Sequence, residues 1–581
     1  MNTATTTPRW LFPEPDSALC KELTSTLGIS PITAQVLLNR GITDPEAARK
    51  FLNPQLNDLA RPELLPNMDA ALDRLAHAAR NREKVVVYGD YDVDGASATA
   101  LLVRFFDLAG IDVEYYVPHR TREGYGLNVD AIDRLAERGA DLIVTVDCGV
   151  GDVEEVARAH ESGMAVIVTD HHEPGDEIAP AEAVVNPKLT GSMYPFRELA
   201  GVGVAFKLAW ALAERFAPGG RMSDEFRAFL LRSLALVGLG TIADVVPLID
   251  ENRVLAVYGL KMLEQTTDPG LRALIETARI RGGRLNARDV AFGLAPRLNA
   301  AGRMAAPRLA TELLITDDSV RARKIAAALE GHNRARRKLQ KETADQARQM
   351  FLEQDRPESA RVIVLQREGW PAGVIGIVAS RLVEEFGRPT ALVAVEGKTG
   401  RGSARSVHGF HLFNAMGGFR DRLISFGGHE AAAGFEIAAA DVPELREYLE
   451  EVAASHAPET FTPALEIDAE VRLADISERL ISELERLAPH GAANHRPVFA
   501  VQDVQVAGKP RLIGMKGQHV SFYVSDGENS FRTVAFGMGE RLYDSIMSGK
   551  RELSLAFSPR IDTWSGSGDV ELHIKDARFP E

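Results

Sequence analysis

Three apolar runs in the first half of the chain end in acids or histidines. KVVVYGD (84–90) leads into Gly89-Asp90-Tyr91-Asp92-Val93-Asp94-Gly95, LIVTVD (142–147) ends at Asp147 before Cys148-Gly149, and AVIVTD (165–170) ends at Asp170, followed by His171-His172. A fourth acid, Asp244, closes Gly240-Thr241-Ile242-Ala243-Asp244 just ahead of Val245-Val246-Pro247. In an open parallel sheet, residues just past the carboxyl ends of the strands converge in the crevice at the switch point. Carboxylates gathered there without a cation repel one another and are costly to desolvate. Hard divalent cations resolve that conflict, and oxygen ligands with one or two imidazoles suit Mn²⁺ or Mg²⁺. Asp92 and Asp94, two apart on an extended segment with Gly95 freeing the turn, are expected to point at neighbouring ions. Asp147, with two carboxylate oxygens, can bridge a pair. Taken singly, each acid reads as a helix cap or turn residue; a whole set at strand ends does not. Cys148 reads as a small buried filler.

Asp170-His171-His172, with the upstream Asp-x-Asp-x-Asp-Gly and Val-Asp-Cys-Gly, resembles the DHH phosphoesterase superfamily. The order of segments along the chain is similar to that of the superfamily's bacterial branch of single-strand-specific 5′→3′ DNA exonucleases: a DHH domain, a linking helix, a DHHA1 domain ending in Gly427-Gly428-His429-Glu430-Ala431-Ala432-Ala433-Gly434, and an OB-like tail. The resemblance implies a two-metal centre, with two Mn²⁺ or Mg²⁺ ions held by Asp92, Asp94, Asp147, His171 and Asp244, and with Asp147 as the bridge. His172 would lie beside the ions at the scissile phosphate, and Asp90 is a weaker candidate ligand. Many relatives begin this motif with a metal-binding histidine; here Tyr88 or Asp90 occupies that neighbourhood. By the same resemblance, Arg120, Arg303, Ser403 and Arg405 bind the 5′-terminal phosphate and set polarity. Gly427, Gly428 and His429 would line the opposite wall of a groove too narrow for duplex.

The residues themselves support a phosphate grip. Pro118-His119-Arg120-Thr121-Arg122 follows a strand, Arg297-Leu298-Asn299-Ala300-Ala301-Gly302-Arg303 is polar and Gly-hinged, and Gly402-Ser403-Ala404-Arg405-Ser406 combines amides, hydroxyls and a guanidinium. Arginine suits a planar phosphate face because its donors form a fork. The competing reading for each arginine is a surface ion pair. Arg321, Arg323, Lys324, Arg334, Arg336, Arg337, Lys338 and Lys341 lie on one helical stretch, either as a track for a DNA backbone or as an ordinary solvated face. In the tail, Phe522, Tyr523, Phe531 and Phe536 offer stacking platforms, although strand alternation sends some of them into a core. Gly201-Val202-Gly203-Val204 faintly echoes a dinucleotide fingerprint but lacks its full glycine spacing and a preceding strand. Flexibility at a helix entry explains it better.

These residues need a scaffold. Five apolar runs (84–90, 113–118, 142–147, 165–172, 181–187) alternate with helices at 96–109, 128–138 and 152–163, which predicts a buried, mainly parallel sheet. The fold class is α/β: a parallel-sheet DHH domain and a smaller α/β DHHA1 domain joined by a long helix, with a C-terminal OB-like β-barrel. The expected segments are 1–66 (N-terminal helices, two of them flanking Arg40-Gly41), 67–250 (DHH), 251–356 (helical region and connecting helix, with a break near Gly331), 357–456 (DHHA1) and 460–581 (OB-like). The 581 residues exceed one ordinary core. With 67 Lys+Arg against 82 Asp+Glu the net charge is −15, so any nucleic-acid site must be a local basic concentration. Cys20 and Cys148 cannot make a disulfide framework or a thiolate zinc site, and a reducing cytoplasm is the natural setting. No secretory signal and no membrane span is predicted; Arg232 and Asp244 interrupt the longest apolar run.

The expected activity is metal-dependent 5′→3′ hydrolysis of single-stranded DNA to mononucleotides, in repair and recombination. A short-oligonucleotide or cyclic-dinucleotide phosphodiesterase and a non-catalytic DNA-binding scaffold are the alternatives. Partners expected from the resemblance are single-stranded DNA, a single-strand-binding protein and a helicase.

Overall fold

The computed structural model describes residues 8–14, 16–119, 123–217, 222–280, 284–304, 306–355, 357–562 and 568–580. The chain divides into two compact units. One comprises residues 12–330 and 467–581, the other residues 1–11 and 331–466.

The larger unit holds a five-stranded, all-parallel sheet in the order Val113–Tyr116, Val85–Gly89, Leu142–Val146, Ala165–Thr169, Ala183–Val185. The three central strands are Val/Ile/Leu-rich and buried on both faces, as crossover helices on both sides demand. Side-chain alternation sends Val85, Val87, Leu142, Val144 and Ile167 into one core and Val86, Tyr88, Ile143, Val166 and Val168 into the other. The first core is covered by Val93–Leu108, Gly201–Arg215 and Asp224–Ala243, the second by Val129–Glu137 and Val153–Glu161. Asp224–Ala243 is long and apolar enough to span a membrane, yet most of it is buried in this core. It crosses Asp250–Glu264 so closely that a Cβ on Gly238 would lie 2.7 Å from the Gly259 Cα.

The barrel strands pair in the order Ala469–Glu470, Phe499–Ile513, His519–Ser525, Ser530–Ala535, Val570–Arg578, Glu552–Ile561, and the last pairs again with Phe499–Ile513. The N-terminal segment is no separate preface. The two helices expected around Arg40-Gly41 are Pro31–Asn39 and Pro45–Leu52, preceded by a further helix, Ser17–Leu27; Leu23, Val36, Leu37, Phe51 and Leu52 share one core with Leu480, Leu484, Phe499 and Phe557. Asp44 caps the helix Pro45–Leu52, its carboxylate accepting from Ala47 N at 2.7 Å. Buried Arg253 ties three segments together by donating to Phe51 O, Leu487 O and Arg486 O at 2.7–2.8 Å.

In the smaller unit a mixed sheet runs Leu423–Gly428, Ala432–Ala438, Thr399–Arg405, Thr390–Glu396, Ile363–Glu368, with only the last two strands parallel. The glycine-rich stretches of this unit form strands. Gly402 exists there because the Phe435 ring lies across it, 2.1 Å from where a Cβ would stand. Ala464–Glu466, expected in the barrel, pairs instead with Arg9–Leu11 in parallel. The connecting helix Ser319–Leu352 is continuous through Gly331, and Asp318 caps it by accepting from Val320 N and Arg321 N.

Candidate metal centre

Asp90 follows the strand Val85–Gly89, and Asp92 then caps the helix Val93–Leu108, its Oδ1 accepting from Gly95 N at 3.0 Å. The helix begins three residues earlier than expected, so Asp94 stands in its first turn and not on an extended segment. There it is buried, and both its oxygens accept backbone amides of a second helix: Gly201 N at 2.6 Å and Val202 N at 3.0 Å. Asp147 leaves its strand with φ 62°, a left-handed turn that aims its carboxylate back across the sheet rim. Asp244 ends the helix Asp224–Ala243, where Val245 at φ 65° breaks the chain away.

His171 is where these elements meet. Its Nε2 lies 3.0 Å from Asp147 Oδ1, 3.6 Å from Asp244 Oδ2 and 4.0 Å from Asp94 Oδ2. Among the described residues, three groups have donor atoms mutually within 4.8 Å: Asp147 with His171 and His172, Asp94 with His171 and Asp244, and Asp90 with Asp92 and Asp147. Asp147 and His171 each belong to two groups. All six expected site residues of this domain therefore converge, and Asp90 joins them.

The electrostatics are those of acids held together against their repulsion. Burial, then the charges of Asp94, Asp92, Asp244 and Asp90, push Asp147 well above the usual carboxylate range. Burial, then Asp244 and Asp92, do the same to Asp94, and burial followed by Asp92 raises Asp244 to about 6. Burial, then the neighbouring His172, hold His171 down at about 3, which leaves a neutral imidazole able to ligate. Asp147 Oδ1 and His171 Nε2 are buried and make no hydrogen bond. Two facing ligand atoms 3.0 Å apart, in a set of carboxylates and imidazole with no thiolate, fit hard divalent cations, whose charge replaces the proton that burial otherwise favours.

Asp170, the first residue of the motif, does different work. Its Oδ1 accepts from His171 N at 2.7 Å and His172 N at 3.1 Å and lies 2.8 Å from His172 Nδ1, while Oδ2 accepts from Val150 N at 3.0 Å. It shapes the histidine loop. Burial would lower the His172 pKa, but the bond and charge of Asp170 prevail and raise it. Asn186, fully buried, holds His172 O at 2.9 Å, and the Tyr125 hydroxyl donates to Asp147 O at 3.0 Å beside His172 Nδ1. Sequence reasoning missed both; only the run AVVNP hinted at Asn186, and nothing pointed to Tyr125. Cys148 is buried, as expected.

Of the expected phosphate-binding residues, Arg120 lies outside the described residues. Arg303 ends the helix Ala295–Arg303 and is partly exposed. Arg297 is committed elsewhere, paired with Glu330 at 2.9 Å. In the smaller unit, Arg405 Nη1 donates to Ser403 Oγ at 3.1 Å, and a Cβ on Gly376 would lie 2.8 Å from that hydroxyl. Gly427 and Gly428 end the strand Leu423–Gly428, paired with Gly434 and Ala433, and His429 opens the turn that follows, its N bonded to Ala432 O at 2.8 Å. On the connecting helix, Arg321 pairs with Glu312, Lys338 with Glu342 and Lys341 with Asp345, so part of the basic stretch is a solvated ion-paired face.

A parallel sheet whose strand ends carry Asp-x-Asp-x-Asp and Asp-His-His defines the DHH class. Accordingly, residues 84–235 match the DHH family, N-terminal domain, and residues 359–455 the DHHA1 domain. Residues 467–576 match the RecJ OB domain. The single-stranded-DNA-specific exonuclease RecJ of Bacillus subtilis is 40% identical over 576 residues, 99% of this chain and 71% of that protein. Crystal structures of Thermus thermophilus RecJ in complex with Mn²⁺ and with Mg²⁺ superpose with TM-scores of 0.83 and 0.77, at 31% and 30% identity, over 99% of this chain and 80% and 79% of theirs. The chain belongs to the RecJ family.

Proposed function

We propose that this chain is a metal-dependent exonuclease that hydrolyses single-stranded DNA from the 5′ end to mononucleotides, acting in DNA repair and recombination. The observation that carries the reading is the convergence of Asp92, Asp94, Asp147, His171 and Asp244 at one rim of the sheet, in a chain whose relatives bear the name single-stranded-DNA-specific exonuclease. These five residues, with Asp90 beside them, would hold two Mn²⁺ or Mg²⁺ ions. Two such cations activate a water and stabilise the attacking and leaving oxygens of a phosphodiester. Asp147, shared between residue groups, is the candidate bridge. His172, which Asp170 favours in its charged form, would offer a cationic ring to the scissile phosphate. With water as the attacking group, no side chain need act as a covalent nucleophile.

We assign Arg120, Arg303, Ser403 and Arg405 to the 5′-terminal phosphate, and Gly427, Gly428 and His429 to contacts with the strand. The reading keeps five segments: residues 1–66, 67–250, 251–356, 357–456 and 460–581. Tyr523 and Phe536, each about half exposed on the barrel, supply the stacking surfaces that favour long polymers over dinucleotides, whereas Phe522 is core. A cytoplasmic setting agrees with two free cysteines. A single-strand-binding protein and a helicase are the proposed partners, to be tested by co-purification.

The test is one nuclease assay with 5′- and 3′-labelled single- and double-stranded DNA, titrated with Mn²⁺ and Mg²⁺. Release of labelled mononucleotide from 5′-labelled single strands alone is expected. Asp147→Ala should abolish cleavage and leave DNA binding measurable. Full activity in that variant overturns the site; a preference for dinucleotides overturns the substrate.

A further inference from the structure

The helix Gly201–Arg215 opens with Gly201-Val202-Gly203-Val204 and has no side-chain cap of its own. Its first two amides are instead taken by Asp94, which belongs to another helix. Helix N-termini attract negative charge through unsatisfied N–H groups and the macrodipole, so Asp94 completes this helix while the helix fixes both Asp94 oxygens.

Two glycines make the arrangement possible. A Cβ on Gly201 would stand 2.6 Å from Asp147 Oδ1, 2.8 Å from Asp147 Cβ and 2.9 Å from its Cγ. A Cβ on Gly240, one turn before Asp244, would stand 2.6 Å from Asp94 Oδ1 and 2.8 Å from Val202 Cγ1. By contrast, a Cβ on Gly203, two positions further along the same opening, would meet Leu199 at 3.4 Å and Leu255 at 3.7 Å, which is ordinary contact. Of these three, the strict requirement for a missing side chain therefore falls at Gly201 and Gly240, the two that touch Asp147 and Asp94.

We infer that Gly201 and Gly240 are positioning residues of the metal centre: they let the N-terminus of the helix Gly201–Arg215 and the flank of Asp224–Ala243 close on Asp94 and Asp147, and so set the spacing of the carboxylates before any ion binds. The inference rests on the metal-centre reading above. It gives Gly201-Val202-Gly203-Val204 a role in which backbone amides grip the protein's own carboxylate and not a ligand phosphate. Groups that orient metal-binding side chains typically contribute 10–100-fold to affinity.

The experiment measures Mn²⁺ binding to the full-length chain by electron paramagnetic resonance of the free ion, with thermal melting of the metal-free proteins alongside. Gly201→Ala and Gly240→Ala should each weaken Mn²⁺ binding by about 10–100-fold, and Gly203→Ala should leave it within about twofold. Helix propensity alone favours alanine at all three positions. A second comparison separates positioning from folding. In an Asp147→Gly background the carboxylate and the Cβ that collide with a side chain at 201 are both gone, so Gly201→Ala should cost no further affinity there, a non-additivity that general destabilisation does not produce. Wild-type affinity in Gly201→Ala, an equal loss in Gly203→Ala, or an additive loss in the Asp147→Gly background would each overturn the inference. If the wild-type chain binds no Mn²⁺ at all, it is the metal-centre reading that falls.

Discussion

A single carboxylate, Asp170, connects the backbone of the histidine loop to its chemistry. Accepting from two amides and from His172 while also holding Val150 N, it acts as an acceptor at every contact. Asp170→Asn forces an amide N–H toward one of those donors. We expect a 10–100-fold loss of Mn²⁺ affinity or kcat with a circular dichroism spectrum like that of the wild type; unchanged turnover would refute the role. The residue types at the site were legible in the sequence because strand ends in a parallel sheet converge whatever the loops do. The division of labour among them was not, since it depends on where Asp94 and Asp170 find donors, and those donors are backbone amides that any residue supplies. A second residue carries a pH signature. The ring nitrogens of His490 lie buried near Arg496, Arg40 and Arg253, and the ring is held at about 3 by burial first and these cations next, against an upward pull from the Asn494 backbone. Its folded pKa lies below the unfolded value of 6.5. The unfolded chain thus binds the extra proton, and stability falls as pH drops from 6.5 toward 3. His490→Asn should flatten that dependence by roughly 1.4 kcal/mol per pH unit, read by denaturant titration at pH 7, 6 and 5.

Secondary elements of the sheet and of the connecting helix follow from hydrophobic period and caps, which is why their predicted bounds fall within a few residues of those observed. The N-terminal helices show what such local signals omit. Nothing in residues 17–52 says that Leu37 and Phe51 pack against a barrel formed some 450 residues later, because that is a property of two surfaces and of no single window. The glycine-rich segments 399–405 and 423–438 carry little strand signal for the opposite reason: glycine normally weakens strands, but at Gly402 it admits Phe435 across the sheet. Arg253 makes the long-range join testable. Its guanidinium, over the Phe51 ring at 4.0 Å, is the donor to three carbonyls from the N-terminal helices and the barrel. Arg253→Met removes that donor from Phe51 O and Arg486 O, while Leu487 O keeps Asn494 Nδ2 at 2.8 Å; each buried group left unmet costs about 1–3 kcal/mol. We expect a loss of roughly 3 kcal/mol or more in unfolding free energy and early proteolysis near residues 53–60. A loss below about 1 kcal/mol, the scale of one ordinary hydrogen bond, would show the join to be carried by the apolar core alone.

Across the whole molecule, a net charge of −15 opposes the approach of a polyanion, so productive binding depends on where positive charge is left unbalanced. Within the larger unit one such place is the barrel surface bearing Arg560 and Lys575, near Arg288 from the helical region and Arg496, which pairs with Glu485 at 3.6 Å. Burial first, then Arg496 and Arg288, lower Arg560 to about 10; burial, then Arg560, Arg288 and Arg496, lower Lys575. Cations that depress one another in this way are stabilised by an incoming phosphate. Phe536 lies among them, edge-on to His519 at 5.2 Å and His573 at 5.3 Å and about half exposed. Charge and an aromatic face together are what a single strand requires, sequence-independent backbone contact plus a platform for a base. Replacing Arg560 and Lys575 by glutamine should therefore raise KM for a long single strand several-fold and reduce the slope of log affinity against log salt by about 0.7 for each phosphate no longer neutralised. Phe536→Ala should weaken long-strand binding by a further 1–3 kcal/mol or so. A dinucleotide, too short to reach beyond the metal centre, should be hydrolysed by all three variants at the wild-type rate. If dinucleotide and long-strand kinetics fell together, the barrel would be acting on the catalytic rim itself; if neither changed, the strand would run elsewhere.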